Sequence, residues 1–128
     1  MQDLTPSNWT AEKLRSHKLS ERLTLCPYFL KESVKNARLE LNVNRVWVIG
    51  SRARGDADTF SDYDIVFDVP DKNKEQWAKF VGNQRENART LLSIDWILLS
   101  SASEGLKKKI TEEGVLIYER LDAEAGKL

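Results

Sequence analysis

The sequence predicts an α+β domain, a small mixed β-sheet flanked by helices. Three observations predict it. Apolar runs rich in β-branched and aromatic residues at 45–49, 62–69 and 92–99 read as strands. Segments with helical spacing of apolar residues lie before, between and after them. The 128 residues, 41% hydrophobic and 31% charged, suit one globular domain with a core of its own.

Residues 1–26 form an N-terminal extension, loose or helical. Within it Thr10 is placed to cap a short helix from Ala11, where Leu14 and Leu19 give a weak apolar stripe. A stronger helix runs from Pro27, which suits a first helical turn, to Leu41. Its face carries Leu30, Val34, Ala37 and Leu41. After a break at 42–44 comes the first strand, 45–49, ending at Gly50-Ser51. A polar loop bearing Gly55 leads to the second strand, 62–69, which Pro70-Asp71 closes.

Residues 71 to about 91 read as a helix with Trp77, Phe80, Val81, Ala88 and Leu91 toward one side. The third strand is 92–99. Ser101 and Glu104 match a capping box for a helix ending at Glu113, with Leu106 and Ile110 facing inward. Gly114 is expected to end that helix in a left-handed turn. Residues 115–118 make a last short strand, and 121–128 a tail. Trp47 and Trp96, both in strands, are expected in the core.

Composition narrows the function. Twenty basic and twenty acidic side chains cancel, which disfavours non-specific nucleic-acid binding. The run Lys107-Lys108-Lys109 is read as the solvated face of a helix. One cysteine, Cys26, makes no internal disulfide and no cysteine zinc site; it reads as a small buried hydrophobe in a reducing, cytoplasmic setting. The one histidine, His17, is read as structural or exposed. No stretch approaches a membrane span, and residues 1–10 lack the basic-then-apolar pattern of a leader. Any catalytic site must therefore rest on carboxylates, Arg or Lys, hydroxyls and backbone.

Three features supply such a site. Gly50-Ser51 follows a buried strand; glycine lets a ligand approach the backbone, and the following N–H groups and the Ser51 hydroxyl can reach phosphate oxygens. Arg52 and Arg54 add guanidinium groups suited to phosphate. Asp62-x-Asp64 places two carboxylates on one face of a strand, where their repulsion invites a cation such as magnesium. Asp95 sits in an apolar strand, where a carboxylate is costly unless paired or bound to metal. Each feature alone has a plainer reading: a turn, a polar strand edge, or a water-bonded Asp. Together, Asp62, Asp64 and Asp95 could hold two divalent ions, with Asp95 helping to take a proton from an attacking hydroxyl.

The string Gly50-Ser51-Arg52-Ala53-Arg54-Gly55, followed by Ser61-Asp62-Tyr63-Asp64-Ile65, resembles the signature of the DNA polymerase beta-like nucleotidyltransferases, in particular the minimal branch called MNT. Asp95 is similar to that branch's third carboxylate, and residues 106–118 resemble its terminal helix and strand. The likeness covers roughly residues 27–120 and implies a polymerase beta-like nucleotidyltransferase fold there. It implies that Gly50 and Ser51 hold a nucleoside triphosphate, which Arg52 and Arg54 would assist by their charge, with Asp62, Asp64 and Asp95 as metal ligands and catalytic residues. Two Mg2+ ions are implied, with ATP as substrate and AMP as the transferred group. The implied acceptor is a tyrosine hydroxyl on a helical HEPN-type toxin, which makes this chain an antitoxin. Two other readings stand beside it: a non-catalytic antitoxin that acts by contact alone, and a small-molecule enzyme of the aminoglycoside-modifying kind. Oligomer formation stays open.

Overall fold

The structure, a computed structural model, describes residues 9–58, 61–87 and 93–121. Among them, the helices are α1 (Leu19–Arg22), α2 (Tyr28–Leu41), α3 (Ser51–Arg54), α4 (Trp77–Asn87) and α5 (Glu104–Glu113). The strands are β1 (Arg45–Ile49), β2 (Tyr63–Asp68), β3 (Ile94–Leu98) and β4 (Val115–Glu119). They form one mixed sheet in the order β3-β2-β1-β4. β1 runs antiparallel to β2 and to β4, whereas β2 and β3 are parallel. A parallel pair needs a crossover, and α4 lies in the connection that makes it.

Period-two alternation sorts the strand residues onto two faces. Val46, Val48, Tyr63, Ile65, Phe67, Trp96, Val115 and Ile117 pack into the main core with Leu30, Val34, Ala37 and Leu41 of α2 and Phe80 and Val81 of α4. On the other face Ile49, Val66 and Ile110 form a smaller cluster, joined by the half-buried Trp47, Ile97, Leu99 and Leu106. α5 thus lies across the second face. Trp96 is a core residue as expected, while Trp47 is half-buried at the edge of the smaller cluster.

Residues 9–26 belong to the main core. Trp9, Ala11, Leu14 and Cys26 are buried there, although the segment has only a 3-10 turn at Ala11–Leu14, the single helical turn α1, and another 3-10 turn at Leu23–Leu25. Residues 1–8 and the tail 122–128 lie outside the described residues, as do Ala88 and Leu91. No helix among the described residues is long and apolar enough to cross a membrane.

Several local expectations shift. Thr10 precedes the first turn but makes no side-chain cap. Pro27 is the cap of α2 rather than its first residue, since its ψ of 151° is extended. Asn42, at φ 50°, takes the left-handed position that ends α2. The segment after Pro70 begins as a 3-10 stretch, Asp71–Gln76, before becoming α4. The cap of α5 is Ser103, whose hydroxyl accepts the Leu106 N–H at 3.1 Å, and not Ser101, which sits in a 3-10 turn. Gly114 is extended (φ −65°, ψ 140°), not left-handed, because the chain passes straight into β4. It is a glycine for another reason: a β-carbon there would lie 2.5 Å from the Ile110 carbonyl oxygen.

Candidate active site

β1 ends at Ile49, and the next residue adopts a conformation that side chains rarely allow: Gly50 has φ 76° and ψ −158°. The chain then turns into α3, which Gly55 (φ 92°) ends in the left-handed region. Sheet register brings the carboxylates to this turn. Ile49 pairs with Asp64 across β1 and β2, and Asp64 pairs with Asp95 across β2 and β3. Asp64 is half-buried, and its carboxylate leans over Gly50 so closely that a β-carbon on Gly50 would collide with Oδ2. Asp62 and Asp95 are exposed beside it.

The Asp64 carboxyl titrates above its ordinary value of 3.8. Burial is the main cause; the negative charges of Asp95 and then Asp62 add to it, while Lys109 opposes it. A carboxylate so placed gains from a cation, and one or two carboxylates plus substrate phosphates are what magnesium usually takes. The oxygen-only donor set fits that ion. Among the described residues no three His, Cys, Asp or Glu side chains are gathered into a ready-made metal cage. The phosphates would have to complete the coordination.

An open cleft of about 570 Å³ is lined by Gly50, Ser51, Arg54, Asp58, Ser61, Asp62, Asp64 and Lys109. Asp58 and Ser61 tie its rim together, the Asp58 N–H donating to Ser61 Oγ at 2.9 Å and Ser61 Oγ donating to Asp58 Oδ1 at 3.3 Å. The Arg54 guanidinium stands half exposed, with Nε on Asp56 at 3.3 Å and Nη1 on Glu113 at 3.3 Å. Its pKa is raised, most by the hydrogen bond to Asp56 and further by Glu113.

Arg52 departs from expectation. It is fully buried and is not among the residues that line the cleft. Its Nη1 donates to the Trp9 carbonyl at 2.7 Å and its Nη2 to the Ser61 carbonyl at 2.9 Å, and the guanidinium lies 4.3 Å from the Tyr63 ring centre. A side chain so enclosed cannot reach a phosphate in the cleft. It holds the N-terminal segment to the loop before Asp62 instead. The helical turn from Ser51 is the reason: residues two apart on a helix point in nearly opposite directions, so Arg52 and Arg54 cannot serve one ligand.

Two residues of α5 join the site without having been expected there. Lys107, Lys108 and Lys109 are all exposed as anticipated, and Lys109 in addition lines the open cleft. Glu113 accepts the Gly50 N–H at 2.7 Å through Oε2. A signal existed in the sequence. Lys109 and Glu113 are three and seven residues from Leu106, which puts them near the inward stripe of that helix.

A family model described as polymerase beta, nucleotidyltransferase matches residues 30–123. No curated protein sequence matches the chain. Among solved structures, a toxin-antitoxin crystal structure with AMP-PNP is 19% identical, with 74% of this chain and 77% of that one covered at a TM-score of 0.52. The toxin-antitoxin MntA-HepT is 19% identical over 74% of each chain, at a TM-score of 0.51. A Sulfolobus solfataricus protein solved as a candidate nucleotidyltransferase is 25% identical over 80% of this chain and 84% of that one, at a TM-score of 0.51. These likenesses are of fold.

Proposed function

Because the chain belongs to the polymerase beta nucleotidyltransferase family, we propose that it transfers AMP from ATP to a hydroxyl of a partner protein. The observation that carries this reading is the corner of the sheet where Asp64, paired in register with Asp95, meets the Gly50-Ser51 turn. A glycine turn that can offer donors to an anion and carboxylates that can take a cation would there serve one ligand. A nucleoside triphosphate with magnesium needs both.

The triphosphate would lie along the cleft. Ser51 offers its hydroxyl and backbone N–H, while Arg54 and Lys109 supply positive charge. Asp62, Asp64 and Asp95 would hold magnesium. When bound, magnesium neutralises phosphate charge and makes the acceptor hydroxyl more acidic. Asp95, exposed at the start of β3, takes the acceptor proton as the oxygen bonds to the α-phosphorus. The bond from the α-phosphorus to the bridging oxygen breaks, and pyrophosphate leaves with the electron pair. The protein's part is to position the reactants and balance charge, which phosphoryl-type chemistry chiefly requires.

A tyrosine of a HEPN-type toxin is the acceptor we favour, with this chain as its antitoxin. The support is the likeness of fold to the MntA-HepT and AMP-PNP toxin-antitoxin structures, together with a cleft that opens to solvent. The experiment is a transfer assay with magnesium, ATP labelled at the α-phosphate and a co-purified or neighbouring-gene partner. Label on the partner's tyrosine, absent with Asp62→Asn/Asp64→Asn, is the expected result. A partner neutralised equally by that double variant, with no label transferred by wild type, would replace this reading with a contact-only antitoxin.

A further inference from the structure

We propose that Glu113 is a positioning residue for nucleotide binding: its carboxylate sets the backbone of the Gly50-Ser51 turn and aims Arg54 into the cleft. The inference rests on the nucleotidyltransferase reading above and extends it to a residue 63 positions further along the chain than Gly50. A carboxylate next to a triphosphate repels it, so an acid at this point calls for an explanation other than ligand binding. The contacts give one. Oε2 accepts the Gly50 N–H at 2.7 Å, a short charge-assisted bond at the point where β1 stops. The same carboxylate accepts from Arg54 Nη1 at 3.3 and 3.4 Å. Arg54 is thereby bracketed, with Asp56 on Nε and Glu113 on Nη1, and its Nη2 edge makes no hydrogen bond to the described residues.

Glu113 is itself held from behind. Its side chain is only 19% exposed, and its carbonyl accepts from Arg15 Nη2 at 3.0 Å. The next residue, Gly114, donates its N–H to Ile110 and closes the helix with no room for a β-carbon. The end of α5 is therefore a fixed post, and the turn is tied to it. The opposite role for the same contact would be a blocker, a carboxylate occupying donors that the phosphates need. The two roles predict opposite signs.

The test is calorimetric binding of a non-hydrolysable ATP analogue with magnesium to wild type, Glu113→Ala and Glu113→Asp, alongside steady-state transfer and hydrogen exchange of the Gly50 amide. Glu113→Ala is expected to weaken analogue binding and raise the nucleotide KM about tenfold, with faster exchange at Gly50. Glu113→Asp keeps the charge but is a methylene short, so it too should weaken binding, which keeps the test decisive if the alanine variant does not fold. Analogue bound as tightly or more tightly by either folded variant overturns the positioning role while leaving the enzyme reading intact. Wild type that binds no analogue overturns the enzyme reading, and this inference with it.

Discussion

The Asp64 carboxylate occupies the space into which a β-carbon on Gly50 would project. Gly50 also holds a φ of 76° with an extended ψ of −158°, a region almost confined to glycine. Both facts oppose substitution. Gly50→Ala should cost about 2 kcal/mol of stability from backbone strain and abolish transfer by pushing Asp64 out of place. Gly82 is the control: it lies within α4 with nothing within 4 Å of an added β-carbon, so Gly82→Ala should add about 0.5–1 kcal/mol. Thermal melts and the transfer assay on the two variants check this. A Gly50→Ala protein that melts like wild type and retains activity would remove the turn from the mechanism.

Asp64 makes the free protein less stable as its carboxyl ionises. Its folded pKa is raised above 3.8, chiefly by burial and then by Asp95 and Asp62. Between the ordinary and the raised value the folded state keeps a proton that the unfolded state has released, so stability falls as pH rises through that window and stays lower above it. Asp64→Asn should then be more stable than wild type at neutral pH, lose that pH dependence, and transfer no nucleotide. Magnesium should raise the melting temperature of wild type more than that of the variant. Equal melting at neutral pH and equal response to magnesium would contradict this account.

The strands were legible because β-branched runs such as Val46-Trp47-Val48-Ile49 have few other solutions. The site's axis was legible too: Gly50 and Asp64 lie in short motifs whose geometry follows from one strand end and one strand. What escaped was decided elsewhere in the chain. Glu113 meets Gly50 across a separation of 63 residues, and no local pattern sets that register. The burial of Trp9, Ala11 and Leu14 was hidden because a 3-10 turn does not repeat with the α-helical period that reveals a stripe. Arg52 and Arg54 look equivalent in sequence and separate only when the short helix sends them to opposite sides.

Cys26 offers a probe of the N-terminal segment's packing. Burial pushes its thiol up to about 12, with Lys31 slightly opposing the shift. Native protein should resist alkylation at pH 8, because the thiolate is the nucleophile and almost none is present. The thiol also makes stability fall as pH rises from about 9 toward 12, since the unfolded thiol ionises first. The stability difference between wild type and Cys26→Ala should change across that window and be flat below it. Rapid labelling of native protein, with no change in rate on adding denaturant, would show that the segment does not cover Cys26.

The two arginines of α3 give the sharpest contrast in the site. Arg52 satisfies the buried carbonyl of Trp9 and the part-buried carbonyl of Ser61, so Arg52→Met leaves both without their donor and should cost about 3 kcal/mol of stability. Arg54 is half exposed at the cleft, where an ion pair adds little to stability. Arg54→Met should therefore melt close to wild type yet bind the ATP analogue about tenfold more weakly, having lost a charge-assisted contact to phosphate. Analogue affinity of the folded Arg52→Met protein should fall much less, since that side chain does not line the cleft. Melting curves and calorimetry on both variants separate the two roles. The reverse pattern, with Arg52→Met folding normally but losing the nucleotide, would place Arg52 in the cleft and require α3 to be turned about its axis.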